Sequence, residues 1–335
     1  MNQKHLATFQ LEPFRPSRLW LNPHAQTILA NSIRPMRGLF FRRVRLDTPD
    51  GDFLDIDFPV IPGAQFSPQS PLVLLLHGLE GNARRGYAHE LYKNLALFGI
   101  RAVGLNYRSC SGEINRTPRL YHSGATDDVE FVVDWLALQF PDAALGVVGF
   151  SLGANLLLKY LGEQRSNTPI QAATAVSPPF DLLRGAQEFE TGIGRRYAQR
   201  FLQDLQKKTK NHAHIIGHKV DLERVQKAQT VREFDDALTA PLHGFLDAND
   251  YYKQNSSAQF IPDICVPTLI LRAMDDPFFA NDIPHTSIAN NAYIYAGFTA
   301  YGGHVAFVEG KIPGRQHYWA ERQAARFTAH FIQQN

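Results

Sequence analysis

The stretch LGVVGFSLGANLLLKYLGE, residues 145–163, decides the fold. Its first six residues form an apolar run of strand length, and from Leu152 onward the apolar positions recur at helical spacing. At the junction stands G-x-S-x-G, with Gly149, Ser151 and Gly153. A strand that turns sharply into a helix strains the residue at the turn, and the residues two away must be small for the backbones to pass. Such a turn lifts the serine oxygen above the sheet and aims the next amide, that of Leu152, the same way from the positive end of a helix. The bland alternative is a serine that merely starts a helix, as helices prefer. The strand before it and the helix after it favour a nucleophile.

Outward from this point the same alternation repeats. Upstream, GLFFRRVRLDTPDGDFLDIDFPV reads as a β-hairpin turning at TPDGD. LVLLLHGLEG is a buried strand ending in glycines, YAHELYKNLALFG a helix, IRAVGLNY a strand and TDDVEFVVDWLALQF a helix whose N-cap is expected at Asp127 or Asp128. Downstream, IQAATAVS, PTLILRA and AYIYAGF read as strands and RQHYWAERQAARFTAHFIQ as a final helix. Buried strands alternating with amphipathic helices give an α/β fold: a mainly parallel, eight-stranded sheet with helices on both faces. The alternation lapses over residues 180–261, where the text is charged, aromatic and helical, so the expected organisation is a core of residues 1–179 and 262–335 carrying a helical cap of residues 180–261. The apolar positions Phe189, Tyr197, Phe201 and Leu205 are expected to roof a pocket.

A serine nucleophile needs a base and an orienting acid. LILRAMDDPF puts Asp275 and Asp276 just past a strand's C-terminal end, where active sites of parallel sheets collect, and AYGGHVAF puts His304 in a glycine-rich turn after the next strand. Asp276 precedes Pro277 and so is held extended, and neighbours on an extended segment face opposite ways. The expected triad is Ser151, Asp276 and His304. Leu79, in the loop after the third strand, is expected to supply the second oxyanion amide beside that of Leu152. His77 is read as loop packing rather than as the base. His212, His214 and His218 lack a nearby carboxylate or cysteine partner and read as a solvated loop. Cys110 reads as a quiet loop cysteine within YRSCSGEINRTPRLYHSG, a long polar loop expected to border the substrate.

Bulk properties narrow the class. The chain has 335 residues, 44% of them hydrophobic, and a formal net charge of +2 with no basic tract, which argues against nucleic acid as a partner. Cys110 and Cys265 cannot build a disulfide framework, and no apolar run reaches the roughly 20 residues a bilayer requires. The expectation is a cytoplasmic protein without a permanent membrane anchor, needing no cofactor and no metal.

The segments HGLEG, YRSCSGEINR, YHSGATDD, GFSLGAN, SPPFDL, VREFDDALTAPLHGF, DDPF and YGGHVAFVEG, with NPHAQTI earlier, together resemble the AB hydrolase 4 family of the α/β-hydrolase superfamily, which groups bacterial candidate esterases with mammalian α/β-hydrolase-domain lipases and yeast medium-chain acyltransferases. The resemblance spans residues 14 to 331. It implies the α/β-hydrolase fold, a triad of Ser151, Asp276 and His304, and small-molecule carboxylic ester substrates. The membrane-spanning N-terminus of the mammalian members is expected to be missing here, which argues against a permanent anchor but not against lipid-like substrates. Acyl transfer to an alcohol or thiol is the nearest alternative activity, and a non-catalytic binding protein a more distant one. The sequence is silent on oligomeric state.

Overall fold

In the computed structural model the described residues are 9–30, 34, 36, 38–190, 194–279, 282–311 and 316–333. They build one eight-stranded sheet in the order β1-β2-β4-β3-β5-β6-β7-β8. Strands β1 (Phe40–Asp47) and β2 (Phe53–Val60) form the expected hairpin, with Leu46 opposite Leu54 and the Thr48 amide closing the turn onto Asp52 O at 3.0 Å. β2 also pairs antiparallel with β4 (Arg101–Asn106). The remaining pairings, through β3 (Leu72–Leu76), β5 (Leu145–Phe150), β6 (Ile170–Val176), β7 (Thr268–Ala273) and β8 (Ile294–Thr299), are parallel.

Parallel strands need covered faces, and β3 shows how the sequence supplies both. Leu72, Leu74 and Leu76 pack on one side with Val129, Val132 and Leu136 of α2 (Thr126–Gln139) and with Leu156 and Leu157 of α3 (Leu152–Gln164). Val73 and Leu75 point the other way, onto Leu91 and Leu95 of α1 (Gly86–Leu97) and onto residues of the C-terminal helix, Trp319–Ile332. The period of two thus becomes two cores, one on each face.

Helix α2 corrects one expectation. It begins after Ala125, and no side chain caps it. Asp128 is instead buried against Arg108, accepting at 2.9 and 2.8 Å, while Asp127 pairs with Arg119. A buried guanidinium nearby outcompetes free amides for a carboxylate, because leaving that charge unpaired costs more than an uncapped helix start. Arg108 also reaches Asp52 at 3.0 Å, and Asp52 in turn receives Asn115 and Thr117, so the polar loop after β4 is pinned to the hairpin.

Between β6 and β7 the described residues form only helices and turns. They include α4 (Leu182–Glu188), α5 (Gly194–Asn211) and a π-helical turn at Asp235–Thr239. Among the described residues no helix is long and apolar enough to cross a membrane.

Candidate active site

Ser151 sits between the last residue of β5 and the first of α3, with φ +53° and ψ −119°. This left-handed backbone is costly for a residue with a Cβ. The flanking glycines are what make it attainable. A Cβ on Gly149 would meet Gly153 O at 2.4 Å, and one on Gly153 would meet Leu76 O at 2.3 Å and His77 O at 2.6 Å. No side chain fits either place.

His304 Nε2 lies 2.8 Å from Ser151 Oγ, and its Nδ1 lies 2.8 Å from Asp276 Oδ2. With Nδ1–H facing the carboxylate, Nε2 is left to accept the serine proton. The structure therefore brings together three of the residues singled out by sequence, from the ends of three strand–loop junctions. Asp275 faces elsewhere and accepts the Gly303 amide at 2.9 Å, bracing the turn that carries His304. Burial pushes the Asp275 carboxyl up from its usual range. Burial acts the same way on Asp276, but the positive charge of Arg272 and the hydrogen bond from His304 outweigh it and hold that carboxyl below its ordinary value.

Leu79 and Leu152 both line the cavity beside Ser151 and His304, and Gly78 packs so closely that a Cβ there would lie 3.3 Å from Ser151 Cβ. His77 has neither ring nitrogen to spare. Nδ1 donates to Gly78 O at 2.7 Å, and Nε2 accepts the Tyr107 amide at 3.2 Å. Burial drives its pKa down to about 3, so the ring is a neutral clip between two loops. His212 is similarly engaged, with Ser109 Oγ at 2.7 Å and Lys208 O at 3.0 Å.

The cavity encloses about 1100 Å³ of space between protein atoms, counting its open mouth. Its wall is mainly apolar and comes from both the sheet side and the helices between β6 and β7, among them Phe189, Phe201, Leu205, Leu238 and Leu242. Of the four residues expected to roof it, Tyr197 is the exception. It packs edge-on against Phe278, ring centroids 4.9 Å apart, and its hydroxyl lies 3.3 Å from His24 Nδ1. Its amphipathic ring is accommodated where the hydroxyl finds a partner. Phe278 in turn lies 4.7 Å from the His304 ring. Of the polar loop expected to border the substrate, the portion Leu120–Ser123 reaches the cavity. Cys110 does not line it, and burial pushes its thiol up to about 11.

Three contributors escape a reading of sequence alone. Arg272, fully buried in β7, places Nη1 3.1 Å from Asp276 Oδ2 and Nη2 2.9 Å from Asp282 Oδ1, and also donates to Pro178 O and Phe279 O. An arginine inside an otherwise apolar strand was the available signal, since such a charge needs a buried partner. Thr27 accepts the His304 amide at 2.9 Å, and Gln26 accepts the Val308 amide at 2.8 Å. The NPHAQTI segment thus supports the histidine turn from the far end of the chain.

A family model described as the alpha/beta hydrolase fold matches residues 71–309. "Putative esterase YheT" of Escherichia coli (strain K12) is 36% identical over 302 residues, covering 89% of this chain and 88% of that protein. "Monoacylglycerol lipase" of Saccharomyces cerevisiae is 34% identical over 268 residues, covering 78% of this chain and 60% of that protein. "Phospholipase ABHD3" of Mus musculus is 31% identical over 327 residues, covering 96% and 79%. Among solved structures, the Pyrococcus furiosus esterase Pf2001 superposes with a TM-score of 0.56 over 95% of this chain and 100% of that chain at 14% identity, a likeness of fold alone. With a family match across most of its length and relatives above 30% identity along nearly all of it, the chain belongs to the alpha/beta hydrolase fold family.

Proposed function

We propose that this protein hydrolyses small carboxylic esters through an acyl-enzyme on Ser151. The observation that carries the reading is the hydrogen-bonded chain Ser151–His304–Asp276 opening onto a mainly apolar cavity. The relatives named esterase, monoacylglycerol lipase and phospholipase support an ester as the bond cleaved. His304 Nε2 takes the Ser151 proton as Oγ attacks the ester carbonyl. The negative charge that develops on the carbonyl oxygen is held by the Leu79 and Leu152 amides, the latter at the positive end of α3. Collapse expels the alkoxide, which takes the proton from His304 and leaves as the alcohol. Water then gives a proton to His304 and attacks the acyl carbon, and Ser151 regains its proton as the acid departs. Residues 180–261 act as a cap whose apolar face holds the acyl chain. The location assigned is the cytoplasm, in keeping with two unpaired cysteines.

The test is labelling by a fluorophosphonate combined with a chromogenic ester series from acetate to palmitate. Wild-type protein is expected to label at Ser151 and the Ser151→Ala variant to take no label. Label retained at another residue refutes the assignment. Running the assay with excess ethanol reports transfer, since a transferase would yield ethyl ester in preference to free acid. Phe201→Ala, which enlarges the cavity wall, is expected to shift the preferred chain length while leaving acetate turnover within about two-fold.

A further inference from the structure

Directly after Leu79, Glu80 occupies a left-handed backbone, φ +51°, inside a turn that the Gly81 amide closes onto Gly78 O at 3.0 Å. Turns with positive φ at their third residue favour glycine there, and a glutamate pays in strain for its Cβ. Several groups hold it in place. Arg85 Nη2 donates to Glu80 O at 2.6 Å. The Glu80 amide donates to the Tyr121 hydroxyl at 2.9 Å, and that hydroxyl donates back to Glu80 Oε1 at 2.6 Å. Lys208 Nζ reaches the same Oε1 at 2.6 Å, with Cys110 Sγ 3.3 Å away.

Lys208 comes from α5, in the helical region between β6 and β7, so this ion pair joins that region to the loop after β3. Its side chains are only 16% and 13% exposed. Burying an ion pair is weak evidence of stabilisation, because desolvation offsets most of the attraction. What the pair fixes is geometry. A carboxylate held at one point by a lysine and a tyrosine cannot swing, and the tyrosine that holds it also holds its backbone.

We propose that Lys208 and Glu80 are positioning residues that lock the Gly78–Gly81 turn so that the Leu79 amide faces the developing oxyanion, making a working oxyanion hole depend on the seating of α5. The inference rests on the ester-hydrolase reading above and on Leu79 as a donor. It distinguishes ground-state binding, which the turn does not control, from stabilisation of the transition state, which it does.

The experiment is steady-state kinetics on a short chromogenic ester for wild type, Lys208→Met, Lys208→Arg, Glu80→Gln, Glu80→Gly and the double variant Lys208→Met/Glu80→Gly, each checked for folding by circular dichroism. Lys208→Met and Glu80→Gln are expected to lower kcat by about ten-fold or more with KM within about two-fold, a fraction of the loss seen when an oxyanion donor is removed outright. Lys208→Arg keeps the charge and most of the kcat. Glycine takes the φ of position 80 without strain, so adding Glu80→Gly to Lys208→Met is expected to recover kcat, which a purely structural brace would not do. Unchanged kcat in folded Lys208→Met, or no recovery in the double variant, overturns the proposal. Should Lys208→Met not fold, Glu80→Gln against Glu80→Gly carries the same comparison, and equal losses in those two overturn it. Wild-type protein that neither labels with phosphonate nor cleaves any ester overturns the functional reading itself, a result separable from a failure of the latch.

Discussion

Arg272 Nη1 stands 3.1 Å from Asp276 Oδ2, the carboxylate oxygen that His304 Nδ1 meets at 2.8 Å. One oxygen is shared between a permanent cation and the imidazole, and the other, Oδ1, accepts the Phe278 amide at 2.9 Å. The carboxylate is thereby fixed in both position and charge. Removing Arg272 would leave Asp276 and Asp282 buried without their counter-ion, a loss of about 3–5 kcal/mol where one partner of a buried pair is deleted. Arg272→Met is therefore expected to unfold at markedly lower denaturant, and Arg272→Lys, which keeps the charge but not the fork, to fold with reduced turnover. Equal urea midpoints for wild type and Arg272→Met would refute this account.

The neighbouring carboxylates should respond differently to the same change. In Asp276→Asn the amide cannot stabilise the imidazolium and favours the wrong tautomer, a change that in serine proteases costs about 10⁴ in turnover. A loss of several hundred-fold or more is expected on that scale. Asp275→Asn keeps an oxygen for the Gly303 amide and removes a carboxyl that burial already disfavours as an ion. Its turnover should fall by less than about ten-fold. The opposite ranking in folded variants would move the orienting acid to Asp275.

Strain at the elbow can be read out through stability. Ser151 holds φ +53° and ψ −119°, a conformation that glycine enters freely and that alanine does not. Ser151→Gly is expected to be more stable than Ser151→Ala by about 1 kcal/mol, the release of strain exceeding the added chain entropy of glycine. Both variants lack the nucleophile, so the comparison in urea isolates the backbone. An alanine variant as stable as the glycine variant would mean the turn carries no strain.

The strand periods, the hairpin and the G-x-S-x-G turn were legible because each depends on residues close in sequence. A Cβ at Gly149 collides with the backbone of Gly153 and Ala154 in the same turn, so local spacing carries that part of the information, whereas the Leu76 and His77 carbonyls that exclude a Cβ at Gly153 come from another strand. The order serine, aspartate, histidine was legible because each follows a strand of recognisable pattern. The supports were not. Thr27 meets His304 across 277 residues, Lys208 meets Glu80 across 128, and no period in either segment marks the partner. Asp128 misled for the same reason: its local setting suits a helix cap, and only the fold brings Arg108 to it. Tyr197 has the spacing of a cavity residue, yet the side it turns to is set by His24, far away in sequence.

Asp235 gives the fold a pH dependence of its own. It lines the cavity at the start of a π-helical turn, accepting the Thr239 hydroxyl at 2.5 Å and the Tyr252 hydroxyl at 2.7 Å. Burial pushes its carboxyl up to about 6, and those two hydrogen bonds to the ionised form only partly oppose the shift. A carboxyl that holds its proton more tightly in the folded than in the unfolded chain binds the extra proton between the unfolded value, 3.8, and about 6. Its contribution is fully present below that window and is lost as pH rises through it, leaving a buried carboxylate as a constant penalty above. Asparagine keeps one acceptor oxygen, and its amide can donate to whichever hydroxyl turns to accept. Asp235→Asn is therefore expected to raise the melting temperature at about pH 8 by a few degrees and to change it little at about pH 3.5, below the window. Scanning calorimetry at the two pH values decides the matter, because an equal shift at both would show that the Asp235 carboxyl does not ionise within this window.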